Sequence, residues 1–118
     1  MAVTSNLNMH LTLTGDTELD DNFSFVENQA SPGQNEIQDL TTGDNTIIIP
    51  KGGSSIPVGC IIIPPSGNVV VLTLKGIGAD TGIAIHPSNP TCISLSSAQV
   101  SFVINVTSDL DGFRFNFF

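Results

Sequence analysis

The chain has 118 residues, with three basic side chains against eleven acidic ones and a formal charge of −8. That length is one domain by the usual prior and is enough to close a two-sheet core. The charge balance argues against direct nucleic-acid binding, which needs lysine and arginine to displace phosphate counterions, and equally against docking on an anionic membrane.

Charged residues make up only 12% of the sequence, about half of the ~25% found in an average soluble domain. Ser, Thr and Asn stand in their place, which suits a surface used for contacts with other proteins. The N-terminus has neither a basic region nor an apolar stretch, so no signal peptide is expected. No run reaches the ~18 apolar residues of a membrane span. The expectation is synthesis as a soluble protein in the cytoplasm. Cys60 and Cys92 each sit in an apolar, strand-like run and are expected to be buried free thiols. The glycosylation sequons at Asn22 and Asn105 are then chance matches.

In chain order, residues 6–14 alternate: Leu7, Met9, Leu11 and Leu13 on one side, Asn8, His10, Thr12 and Thr14 on the other. That pattern predicts a strand with one polar face. Gly15 to Asn22 reads as an acidic turn, and Phe23 to Val26 as a second strand. Asn28 to Asn35 contains Pro-Gly and reads as a surface loop. Glu36 to Thr42 is a weaker strand, followed by a tight turn over residues 42–45.

The block Thr46–Leu74 holds three short β-branched runs, Ile47–Ile49, Cys60–Ile63 and Val69–Leu74. Runs this short, bounded by proline and glycine, predict strands buried on both faces. Further strands are predicted at Ile83–Ile85, Thr91–Leu95 and Ser101–Val106, with a last one running to Phe118. In that last strand Phe113, Phe115 and Phe117 share a face, which should dock in the core or against another subunit. The count is about 8 to 10 short strands with Gly/Pro turns and no helical period. The expected fold is all-β, a jelly-roll-like two-sheet sandwich. It forms one domain over residues 1–118, with residues 1–10 as an extended N-terminal arm or strand.

Five constellations could carry chemistry. Asp16, Glu18, Asp20, Asn22, Ser24 and Glu27 fall on the ligand positions of a calcium loop. The glycine required at the sixth position is replaced by Asp21, and both flanks read as strands and not helices. The expectation is a solvated acidic turn, with Asp16, Glu18 and Asp20 as the carboxylates a hard cation of another geometry would use. Asp109 to Gly112 reads as hairpin chemistry. His10 and His86 are the only histidines and too few for a cupin-type metal centre; His86 reads as an exposed turn residue. Gly76 to Asp80 is glycine-rich after a strand, but no helix follows and Asp80 would repel phosphate, so it reads as a wide turn. No Gly-x-Ser-x-Gly elbow occurs near the serines that follow His86. Trp and Tyr are absent, which removes the usual sugar-stacking platforms. No catalytic residue, metal or cofactor is expected.

The segments NTIIIPKG, IIIPPSGNVVVLTLKGIGADTGIAIHP, PTCISL and GFRFNFF resemble small acidic virion proteins of tailed double-stranded DNA phages, over roughly residues 45–118. The resemblance implies a non-enzymatic, jelly-roll capsid decoration (cement) subunit, located in the virion, self-associating as a homotrimer and bound to the major capsid protein or another virion protein. It carries no functional residue across. Phe115, Phe117, Phe118, Leu7 and Met9, the apolar side chains of the two ends, are the candidate partner contacts. The alternative is a receptor- or carbohydrate-binding β-sandwich of a tail fibre or baseplate. An enzyme of cupin or lyase type would need a polar cavity with a metal.

Overall fold

The computed structural model describes residues 3–15, 19–29, 34–50, 57–96 and 98–118. Among these residues no helix is long and apolar enough to cross a membrane. The strands are β1 (Val3–Leu13), β2 (Leu19–Gln29), β3 (Gln34–Leu40), β4 (Gly43–Ile48), β5 (Gly59–Ile63), β6 (Leu72–Lys75), β7 (Ile83–Ile85), β8 (Thr91–Ser94), β9 (Ser101–Val106) and β10 (Leu110–Phe117).

Strands β3 to β10 form two four-stranded sheets, ordered β3-β10-β5-β8 and β4-β9-β6-β7. The pairs β3/β10, β4/β9, β5/β8 and β6/β7 nest inside one another and are all antiparallel. It is as though one long hairpin, centred on the β6–β7 connection, had been folded over. The chain changes sheet at every connection from β3 onward except that central one. This is the double Greek key of a jelly roll, and the expected all-β sandwich is the observed fold.

The two sheets are joined by side chains at alternate positions. Ile47 from β4, Ile62 from β5, Leu72 from β6, Ile104 and Val106 from β9, and Phe113 and Phe115 from β10 are all buried. Phe102 of one sheet meets Phe115 of the other edge-on, with ring centroids 6.1 Å apart, and Phe115 stacks on Phe113 at 5.2 Å. Each such side chain stabilises the fold by roughly 1.5–3 kcal/mol through burial alone.

The middle block departs from its expected burial in two places. Ile48 is 63% exposed, because β4 is an edge strand with one face on the core and the other on solvent. Val69 and Val71 precede the strand and are 86% and 55% exposed. The cause is Asn68, whose Oδ1 accepts from the Val70 N–H at 3.0 Å while its Nδ2 donates to the Val70 carbonyl at 3.1 Å. The side-chain amide replaces ladder hydrogen bonds there, so pairing begins only at Leu72.

Residues Leu19 to Asn22, expected in the acidic turn, belong to β2. Gly43 to Asn45, expected in a turn, belong to β4; Asn45 closes the Thr41–Thr42 connection by accepting from the Thr41 N–H at 3.0 Å and donating to the Thr41 carbonyl at 2.8 Å. Asp111 and Gly112 form a bulge inside β10 and no hairpin turn. No hairpin is possible there, since β9 and β10 lie in different sheets.

Strands β1 and β2 join neither sheet. They form a separate antiparallel hairpin, in which Leu7 is in register with Phe25 and Met9 with Phe23. The radius of gyration, 15.6 Å, exceeds the roughly 13.5 Å of a compact chain this long, as expected when a long hairpin stands outside the sandwich.

Candidate functional site

The two ends named as partner contacts separate in the fold. Phe115 and Phe117 are core residues with 0% and 2% exposure, so neither is available to a partner. Their strand lies in the interior of its sheet, and its alternate side chains fall between the sheets. Phe118 is half-buried: its N–H donates to the Gly59 carbonyl at 3.0 Å and its carbonyl accepts from Val58 N–H at 2.7 Å. A Cβ on residue 59 would meet the Phe118 ring and, at 2.9 Å, the Ile93 carbonyl, which favours glycine at this close backbone approach. At the other end Met9 is 48% exposed and Leu11 50%. The side chain of Leu7 lies outside the described residues.

Of the acidic set, Asp16 and Glu18 lie outside the described residues. Asp20 is exposed and pairs across the hairpin with His10 Nε2 at 2.5 Å. A pair this exposed contributes little to stability. Among the described residues no group of three or more His, Cys, Asp or Glu side chains is placed to hold a metal ion.

Asp109 accepts from the N–H and hydroxyl of Thr42, at 2.8 and 2.9 Å, and ties the β3–β4 connection to β9–β10. The backbone hydrogen bond from Thr42, then its hydroxyl, hold the Asp109 carboxyl below the usual carboxylate range. Asp44 is lowered in the same direction, first by the Asn105 side chain and then by Lys75. Both are tethers between loops or strands.

The two thiols are free. Cys60 is buried as expected, and burial, with lesser contributions from Cys92 and Glu36, pushes its pKa up to about 12. Cys92 is exposed, against expectation. It is in register with Ile61 on the neighbouring strand, whereas Cys60 is in register with Ile93, so the two cysteines project from opposite faces of their sheet. Partial burial raises the Cys92 thiol as well. Neither is prepared to act as a nucleophile at neutral pH.

The sandwich has a cleft of about 520 Å³, inside the ~300–1,000 Å³ range of ligand sites. It opens between β7 and β8, the outermost strands of the two sheets on one side. Leu74, Ile83, Ile93, Leu95 and Phe102 supply its apolar lining. Four of its polar members have partners within the chain. Lys75 Nζ donates to Asp44 at 3.1 Å, Asp80 Oδ2 accepts from Ile77 N–H at 3.0 Å, Ser96 Oγ accepts from Ala98 N–H at 3.3 Å, and Gln99 Nε2 donates to the Ser101 carbonyl. What the cleft offers is apolar contact, flanked by two sheet edges to which no strand is added among the described residues.

The sequence held no local signal for this cleft, because its lining comes from four strands and two connections that only the jelly-roll topology assembles. The glycine-rich stretch after β6 is its wall: Gly76, Asp80 and Gly82 line it, in the wide turn expected there. No protein-family model, curated protein or solved structure matches the chain.

Proposed function

We propose that the protein is a non-enzymatic virion structural subunit, a decoration protein that attaches to the capsid of a tailed double-stranded DNA phage and self-associates as a homotrimer. The observation that carries the assembly part of this reading is the apolar cleft between two sheet edges to which no strand is added among the described residues. An unpaired edge is a template for strand addition by another chain. The jelly-roll topology, the low charge content and the half-exposed Met9 and Leu11 on a hairpin outside the sandwich support it. The phage assignment rests on the sequence resemblance over residues 45–118.

The action is adhesive. Copies bridge neighbouring shell subunits by edge pairing and apolar contact, burying roughly 1,200–2,000 Å² per stable attachment. The charge of −8 keeps the free subunit off nucleic acid and selects a polar or basic partner face. Co-sedimentation tests it: purified chain mixed with phage capsids stripped of decoration should pellet with them at a fixed ratio. A chain that stays in the supernatant contradicts the reading.

The second reading, a receptor- or carbohydrate-binding module of a tail fibre or baseplate, is favoured by the size of the cleft. It is weakened by the engagement of Lys75, Asp80, Ser96 and Gln99 within the chain, which leaves few polar groups to recognise a sugar. Saturable binding in a glycan screen would establish it over the first.

A further inference from the structure

The end of the sandwich opposite the cleft is held by a chain of hydrogen bonds that begins at His86. In the β7–β8 connection the Nδ1 atom of His86 lies 3.1 Å from the Ser88 N–H and 2.9 Å from the Asn89 N–H, and it accepts from both. An imidazole nitrogen can accept only while it is unprotonated, so this arrangement requires the tautomer that carries its proton on Nε2. The connection so shaped places the Pro87 carbonyl 2.8 Å from Asn68 Nδ2. Asn68, only 9% exposed, in turn fixes Val70 through both of its amide atoms. Val69 and Val71, on either side of Val70, are the exposed apolar tip of this assembly.

We propose that His86 is an acid-sensitive latch that fixes the presentation of the Val69–Val71 tip. When Nδ1 takes a proton from solvent, its lone pair is lost and two backbone donors lose their acceptor together. The Ser88 and Asn89 N–H groups turn to water, the Pro87 carbonyl leaves Asn68, and the β5–β6 connection is freed. On the neighbouring elements, Arg114 of β10 stands in register with Ile63, the last residue of β5, and Asp109 accepts from Thr42 beside the β4–β9 pair. The segments Pro64–Val71 and Ile85–Thr91 contain no ionisable side chain other than His86, and the ionisable groups of β5 and β8 are the thiols Cys60 and Cys92, both with pKa raised by burial. On β6 the one charged residue, Lys75, stands at the end away from Leu72, the partner of Ile85. Histidine is the side-chain type whose ordinary charge change falls between pH 5 and 8.

The test is a ¹⁵N NMR titration of the full chain from pH 8 to pH 5. At pH 8 the His86 ring should show an unprotonated Nδ1. On acidification the Ser88 and Asn89 amides should lose protection by about tenfold or more. The Asn68 side-chain amide and the Val69–Val71 amides should shift along the same titration curve. His86→Asn retains an acceptor for the turn and should keep the neutral-pH spectrum of this end while abolishing the response. His10→Asn, on the hairpin, should leave the response intact. If Asn68 and Val69–Val71 stay still while His86 titrates, or move equally in His86→Asn, the proposal is wrong. The wild-type titration decides the matter even should His86→Asn fail to fold.

Discussion

Phe102 and Phe115 stand 6.1 Å apart with their rings at 62°, one from each sheet. Phe115 is wholly buried, and the same ring stacks on Phe113 of its own strand. The contact joins the sheets of the sandwich at its centre. Phe115→Ala is expected to cost ~3–5 kcal/mol, the range for losing a buried aromatic and leaving a cavity. Urea unfolding monitored by circular dichroism measures it. A loss below ~1 kcal/mol would mean that the two sheets are held elsewhere.

Gly82 begins the approach to β7 with a φ of +79°, and a Cβ there would meet the Leu74 carbonyl at 2.6 Å. Backbone contacts cannot yield as a flexible side chain can. Gly82→Ala should therefore destabilise by more than about 1 kcal/mol, seen as a melting temperature lower by about 4 °C or more. Gly67, also at positive φ but with open space around its α-carbon, should show a smaller loss on the same change.

The thiols give a chemical readout of sheet faces. Iodoacetamide at pH 8 should modify Cys92 slowly, since partial burial raises its pKa, and leave Cys60 untouched, its pKa standing at about 12. Denaturant should expose both. Mass spectrometry counts the adducts; two rapid additions to the native chain would contradict the burial of Cys60. Mild oxidation should not join the pair within one chain, because they project from opposite faces of the sheet.

Acid should weaken the fold through Asp109 and Asp44. Both carboxyls have folded-state pKa values held below 3.8. A depressed carboxylate adds stability above its unfolded pKa, and that stability is lost as pH falls through the folded value. Unfolding free energy should thus decline below about pH 4. Asp109→Asn should flatten that decline, and a slope unchanged in the variant would remove Asp109 from the account.

Much of the fold was legible because period-two alternation and Gly/Pro punctuation are local. The Phe113, Phe115, Phe117 face was read correctly as needing cover, and the cover is the core. Sites were less legible. Val69 and Val71 look like strand from composition, and only the Asn68 side chain, reaching Pro87 from a distant connection, takes them out of the ladder. Cys92 looks buried until β8 is known to be an edge strand. His86 was recognisable as a turn residue, but its role as a double acceptor depends on a backbone geometry that a residue type alone does not specify. The cleft arises from Leu74, Ile93 and Phe102 meeting across sheets, a relation with no signature in any one segment.

A decoration subunit works by association, and the mass of the purified chain in solution tests that most directly. Light scattering behind a sizing column, run over a range of concentrations at neutral pH, should return three times the 12.4 kDa of a single chain. A mass of one chain at every concentration, with no species above it, would contradict the proposal that this protein works by assembling.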